Sequence, residues 1–346
     1  MAAPTKHFKI EQLDASSKKL FELVKAGKVE TLKTFVQSRP QLDVNALRHD
    51  GMSALHLAIQ NKAEDVVAFL LSCTGIKCRD CLLHAVKIGN VHITKLILNH
   101  IQKTGGNEQQ GYPESVDFSK DMTPIILAGK ENHFLIVRLL VQRGHVIELP
   151  HRADCACPNC TVDRRHGENL SQSIARVDAY RAFCSPAYLL LSAGCPLFQA
   201  FKLTTEVEIC AAEEKESSNE YKQLYKELRK FSADMIDLCR DEEEVSLLLR
   251  RREGTPAYRN PIYPRLLMAV ECDQREFVAS LNCQKLVNTA WLGVWSNWRV
   301  AHPLWNVWRI LCVTIFWPIV SFVHILDPTG KVAQVTKSPY ARSFIV

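Results

Sequence analysis

Four copies of one amphipathic pattern fill the first half of this chain, and a repeat of that kind dictates a stack rather than a single closed core. The segment G-K-V-E-T-L-K-T-F-V from Gly27 recurs as K-A-E-D-V-V-A-F-L-L from Lys62, as G-N-V-H-I-T-K-L-I-L from Gly89 and as N-H-F-L-I-V-R-L-L-V from Asn132. Each copy carries apolar residues at helical spacing on one face. A single unit of this size cannot bury that face alone, so neighbouring copies must stack to build a continuous core.

Ahead of two copies stand Ser53-Ala54-Leu55-His56-Leu57-Ala58 and Thr123-Pro124-Ile125-Ile126-Leu127-Ala128. Both resemble T-P-L-H-x-A, the ankyrin signature, in which the hydroxyl residue caps a helix, proline fits its first turn and the small alanine allows close packing. Copy starts at 27, 62, 89 and 132 step by 35, 27 and 43 residues, scattered around the roughly 33 of ankyrin repeats. Four divergent repeats are therefore expected over residues 1–148. The polar stretch from Lys103 to Lys120, with Gly105-Gly106, reads as a loop inserted between the third and fourth copies. Stacks of this type bind proteins and carry no catalysis of their own.

Directly after the repeats, His151, Cys155, Cys157 and Cys160 stand at H-x-x-x-C-x-C-x-x-C. Zinc takes four borderline or soft ligands in a tetrahedron, and a Cys3His set leaves no position open for substrate or water, so the spacing predicts a structural zinc loop over residues 149–163. Pro150, Asp154, Pro158 and Asn159 supply the turns that let the ligands converge. Unliganded thiols in a polar loop are the alternative. His166, Gly167 and Glu168 imitate the H-x-E of zinc deaminases. The cysteines of that chemistry follow the motif, whereas here they precede it, and no paired carboxylates, nucleophile elbow or phosphate loop accompany the site, so no enzyme is expected. Cys78 and Cys81 form another C-x-x-C with no second pair nearby and read as free thiols at a helix start. Thirteen cysteines, an odd number, and an N-terminus with charges and no apolar run imply reduced thiols in a cytosolic chain without a signal peptide. A net charge of +6 over 346 residues does not suggest nucleic acid and allows attraction to an anionic inner leaflet.

Residues 164–255 read as a helical linker domain, broken at Ser185-Pro186 and at Gly194-Cys195-Pro196. From Glu206 to Arg252 no proline or glycine intervenes. Leu224, Leu228, Phe231, Met235 and Leu238 mark a heptad seam there, suited either to a coiled-coil partner or to packing on the repeats. The last segment, 256–346, gathers all six tryptophans, a residue typical of membrane interfaces. The fourteen residues Ile310 to Val323 carry no charge, too few for the roughly 20 that a spanning helix needs. Pro318 would kink them, so a re-entrant or interfacial helix at about 305–325 is expected, with Trp305, Trp308, Arg309, Trp317 and Pro318 at the membrane boundary. A buried core helix is the competing reading of the periodicity.

The order of these parts resembles the cytosolic N-terminal half of the short (TRPC-type) transient receptor potential cation channels. Beyond the repeats and the Cys3His loop, the resemblance rests on Ile174-Ala-Arg-Val-Asp-Ala-Tyr-Arg-Ala182 with Ser185-Pro186-Ala187-Tyr188, on Arg275-Glu276-Phe277-Val278-Ala279 with Asn282-Cys283-Gln284, and on Lys337-Ser338-Pro339-Tyr340. It implies an all-α fold: an ankyrin-repeat solenoid, a linker helical domain and a Trp-rich membrane-proximal segment. It also implies a homo- or hetero-tetrameric, calcium-permeable channel operated downstream of receptors and phospholipase C, of the store-operated type, at the cytoplasmic face of the plasma membrane. The family's transmembrane helices and pore do not occur in this sequence, so the chain as given is not expected to conduct alone. The alternative is a soluble, zinc-stabilised assembly partner, or a short product that poisons assembly.

Overall fold

A computed structural model describes residues 14–158, 160, 170–251 and 263–292, together with positions 304, 305, 307, 308, 311, 312, 314, 315, 318 and 322. The fold is all-α, as the repeat pattern predicts. No strand occurs among the described residues, and one isolated antiparallel bridge joins Leu47 to Ser53. The chain divides into two compact units, residues Met1–Gln199 with Glu206–Tyr225, and Ala200–Thr205 with Lys226–Val346.

In the first unit four helix pairs follow one another: α1 (Ala15–Ala26) with α2 (Val29–Gln37), α3 (Ala54–Gln60) with α4 (Glu64–Ser72), α5 (Cys81–Ile88) with α6 (Val91–Thr104), and α7 (Pro124–Lys130) with α8 (Phe134–Gln142). The four sequence copies are α2, α4, α6 and α8 with the turn ahead of each. That turn demands the same backbone every time. Gly27 (φ 67°), Lys62 (φ 54°), Gly89 (φ 79°) and Asn132 (φ 53°) all adopt the left-handed conformation, which glycine tolerates without cost and asparagine with little. Gly89 meets a second constraint, since a Cβ there would lie 2.9 Å from Cε1 of His133. Gly89→Ala is expected to lower stability by about 1–2 kcal/mol, read as a shift of the urea midpoint at unchanged slope.

Capping fixes the first helices of the pairs. Ser53 Oγ accepts the His56 N–H while the His56 ring accepts the Ser53 N–H, a reciprocal box, and Thr123 accepts the Ile126 N–H with Pro124 in the first turn. The faces so aligned bury Leu20, Leu55, Leu70, Ile93 and Ile97 in one continuous core that runs from α1 to α8. The insertion begins at Gly105, because α6 extends through Thr104. It is pinned by polar contacts: Arg143 bonds Glu108 at 3.0 Å and also the side-chain oxygen of Asn99, and Ser115 bonds Asp80 at 2.6 Å.

The stack continues beyond the fourth pair into α9 (Leu170–Phe183) and α10 (Pro186–Ser192). Gly129 of α7 lies directly against Ala182, Lys130 pairs with Asp178 at 2.7 Å, and Asn132 accepts the N–H of Ala187 at 3.0 Å. Next come α11 (Pro196–Glu213), α12 (Ser218–Asp237) and α13 (Glu242–Arg250). The stretch free of proline and glycine thus holds the end of α11 and the whole of α12 and α13. It breaks at Glu214, where acidic residues crowd the negative end of a helix, and again before Asp241, which heads α13 with three glutamates in its first turn. Of the heptad seam, Leu224 and Leu228 are buried within the chain and Leu238 is 76 % exposed. The buried face of α12 runs through Tyr221, Leu224, Leu228, Ser232 and Ile236 instead.

The second unit adds α14 (Pro264–Glu271), α15 (Arg275–Ala279) and α16 (Leu281–Leu292). Phe201 and Phe277 meet edge to face at 5.2 Å in its core, and the Asn282 amide donates to the carbonyls of Ile236 and Cys239 where α12 ends. No helix among the described residues is long and apolar enough to cross a membrane.

Candidate metal centre

The loop after α8 is built from local turns. Cys155 N–H bonds the Arg152 carbonyl at 3.1 Å, and Arg152 pairs with Asp154 at 3.2 Å. This brings the Cys155, Cys157 and Cys160 sulfurs to 3.3, 3.3 and 3.4 Å from Nδ1 of His151. All four donor atoms lie within 4.8 Å of one another. A tetrahedral ion with metal–sulfur bonds of about 2.3 Å and a metal–nitrogen bond of about 2.0–2.1 Å has N···S edges of about 3.5 Å, close to the observed separations. The four residues that the spacing picked out are therefore the four that converge, and they form a group able to hold a metal ion.

Electrostatics within the loop suit a cation. The Cys160 N–H donates to the Cys157 sulfur at 3.4 Å. That bond first, and the Cys160 side chain second, bring the Cys157 thiol down to about 6, whereas sharing a proton with Cys157 pushes Cys160 up to about 11. One thiolate thus forms near neutral pH, and it is the thiolate that ligates metal.

Two tyrosines hold the base of the loop. Tyr188 at the start of α10 accepts the N–H of Ile147 at 2.9 Å and donates to the carbonyl of the same residue at 3.4 Å. Tyr180 of α9 donates to the Pro150 carbonyl at 3.2 Å, immediately before His151, and rests edge to face on Tyr221 at 5.8 Å. Both lie in the motif that carried the family resemblance, but nothing in their spacing reveals the clamp. The helices that follow the loop are thereby fastened to its start.

The other sequence-derived positions fare differently. Trp305, Trp308 and Pro318 are helical, and Trp305 and Trp308 are 62 % and 61 % exposed. Leu304, Val307, Leu311 and Ile315 are exposed alongside them. Arg309, Trp317 and the decoy His166-Gly167-Glu168 lie outside the described residues. Cys78 is half-buried and Cys81 buried at the start of α5, free thiols as expected.

The family model for ankyrin repeats in many copies matches residues 20–71, and the model "transient receptor ion channel II" matches residues 155–218, which begin at Cys155 and take in α9 to α11. Short transient receptor potential channel 4 of Mus musculus is 29 % identical over 344 residues, covering 96 % of this chain and 35 % of the relative. Short transient receptor potential channel 3 of Homo sapiens is 30 % identical, covering 96 % and 39 %, and the transient receptor potential-gamma protein of Drosophila melanogaster is 29 % identical, covering 97 % and 31 %. The first two of these relatives are named as channels, and the chain spans about a third of the relatives' length. In its two family-model matches and in relatives that align along nearly all of it, this chain is similar to the N-terminal third of the short transient receptor potential channels.

Proposed function

We propose that this chain is the cytosolic, N-terminal part of a calcium-permeable cation-channel subunit operated through receptors and phospholipase C, and that it serves assembly with related subunits and coupling to the membrane domain. The observation that carries the reading is alignment along 96 % of the chain with short transient receptor potential channels 3 and 4. In this role the repeats over 1–148 offer the surface for a neighbouring subunit in a tetramer. The loop over 149–163 holds a structural zinc ion on His151, Cys155, Cys157 and Cys160. The linker helices of 164–255 transmit its position. We assign Trp305, Trp308, Arg309, Trp317 and Pro318 to the boundary with the inner leaflet, on the exposure of Trp305 and Trp308 and the preference of tryptophan for the headgroup level.

Zinc suits the loop for a physical reason. A short polar segment buries too little apolar surface to offset the entropy of ordering it, and four metal bonds supply that free energy. Assembly is tested by co-expressing the tagged chain with full-length short transient receptor potential channel 4 and purifying through the tag in detergent. Recovery of the channel with the chain is expected, and recovery of the chain alone would overturn the assembly role.

A further inference from the structure

A second group of donor atoms lies well away from the Cys3His loop in sequence, between the second and third helix pairs. His56 of α3, Asp80 at the head of α5 and His84 one turn into α5 bring donor atoms within 4.8 Å of one another. Asp117 of the inserted loop approaches the same place, 3.5 Å from Nε2 of His84.

The hydrogen bonds decide which of these groups can ligate. Nδ1 of His56 accepts the backbone N–H of Ser53 at 3.1 Å. A backbone N–H only donates, so Nδ1 is the unprotonated nitrogen and Nε2 carries the hydrogen. Nε2–H then donates to Oδ1 of Asp80 at 2.7 Å. His56 therefore offers no lone pair toward the cluster and orients the Asp80 carboxylate, the outer-shell part that such a partner plays at metal sites. Ser115 donates to the other oxygen, Oδ2, at 2.6 Å.

His84 is what this network leaves unexplained. The residue is 8 % exposed, and its Nε2 stands 3.8 Å from Oδ2 of Asp80 and 3.5 Å from Oδ2 of Asp117. Charge-assisted hydrogen bonds measure about 2.7–2.9 Å, so neither contact is one. The His84 ring is thus aimed at two carboxylates across gaps near the roughly 3.4 Å edge of a tetrahedron whose metal–ligand bonds are about 2.0–2.1 Å.

We propose that Asp80, His84 and Asp117 bind a second divalent ion of the zinc class, with His56 and Ser115 orienting Asp80. Imidazole with carboxylate selects zinc and its transition-metal neighbours over magnesium and calcium, which prefer all-oxygen sites. Three protein ligands leave a fourth position for water, so this site is open and binds less tightly than the Cys3His loop. Its effect is to tie the inserted loop, through Asp117, to the second and third repeats.

The test is equilibrium dialysis of the full chain against zinc, with cobalt substitution to tell the two sites apart. Wild-type protein is expected to bind two ions, the tighter on thiolates and visible with cobalt as a sulfur charge-transfer band. His84→Gln should weaken the second site at least ~10-fold and leave that band intact. Cys157→Ser should diminish the band and leave the second ion in place. Calcium and magnesium should not compete at equal concentration. Asp117→Asn, a half-exposed position, gives the same reading if His84→Gln disturbs folding by circular dichroism. No ion in saturated wild type beyond one held on thiolates, or an ion off the thiolates that survives both His84→Gln and Asp117→Asn, would overturn the proposal. Absence of the sulfur band in wild type would instead sink the zinc loop and leave the second site to be judged on its own stoichiometry.

Discussion

Cys157→Ser is expected to lower the metal content of the purified chain by one tightly held ion and its melting temperature by about 4–12 °C. The serine hydroxyl cannot replace the one sulfur that the loop itself brings into the thiolate state near neutral pH, and three remaining ligands do not close a tetrahedron. Structural zinc contributes apparent binding free energies of about 10–16 kcal/mol in zinc-finger peptides, but most of this is spent ordering the loop at about 1–2 kcal/mol per residue. A net loss of about 2–3 kcal/mol, at about 2–4 °C per kcal/mol for a body of this size, gives the stated shift. Scanning fluorimetry with and without a chelator provides the control: chelation should shift the wild type further than it shifts the variant, by the amount the substitution itself costs. Melting that is unchanged in Cys157→Ser would refute the structural role.

The sequence shows some of this fold plainly and hides the rest for identifiable reasons. Alternation at helical spacing, and a shared turn at positions 27, 62, 89 and 132, made α2, α4, α6 and α8 visible, because one backbone requirement recurs at each. Their partners were visible only where the cap was conventional, at Ser53 and Thr123. At α5 the capping position is Asp80, whose carboxylate is committed to His56 and Ser115 rather than to the helix. The four loop ligands were legible because all fall within ten consecutive residues, from His151 to Cys160. The second cluster was not, since His56, His84 and Asp117 come from separate segments and meet only through stacking. The heptad of α12 left two partners open for a related reason: an apolar seam satisfies a neighbouring element of the same chain as well as it does a second helix, and the buried face turns away from Leu238.

Gly129→Val is expected to cost about 3 kcal/mol, the upper end for an overpacked core, and to free the fourth repeat from α9. A Cβ at Gly129 would lie 2.9 Å from the Ala182 carbonyl oxygen and 3.0 Å from its Cβ. The first of these is backbone, so no rotamer change relieves it and the two helices must part. Separation also strains the Lys130–Asp178 pair, in which both side chains are largely withdrawn from water, and the Asn132 bond to the start of α10. Because Tyr180 and Tyr188 reach the base of the metal loop from α9 and α10, the substitution should act at a distance as well, speeding the release of the loop's zinc to a chelator. Ala182→Gly, which removes a methyl from the same contact, should restore part of both losses in the double variant. A urea midpoint within about 0.5 kcal/mol of wild type, the usual range for surface changes, would mean that α7 and α9 do not meet at Gly129. Zinc release that stays at the wild-type rate while stability falls would mean instead that the tyrosine clamps do not link the linker helices to the metal loop.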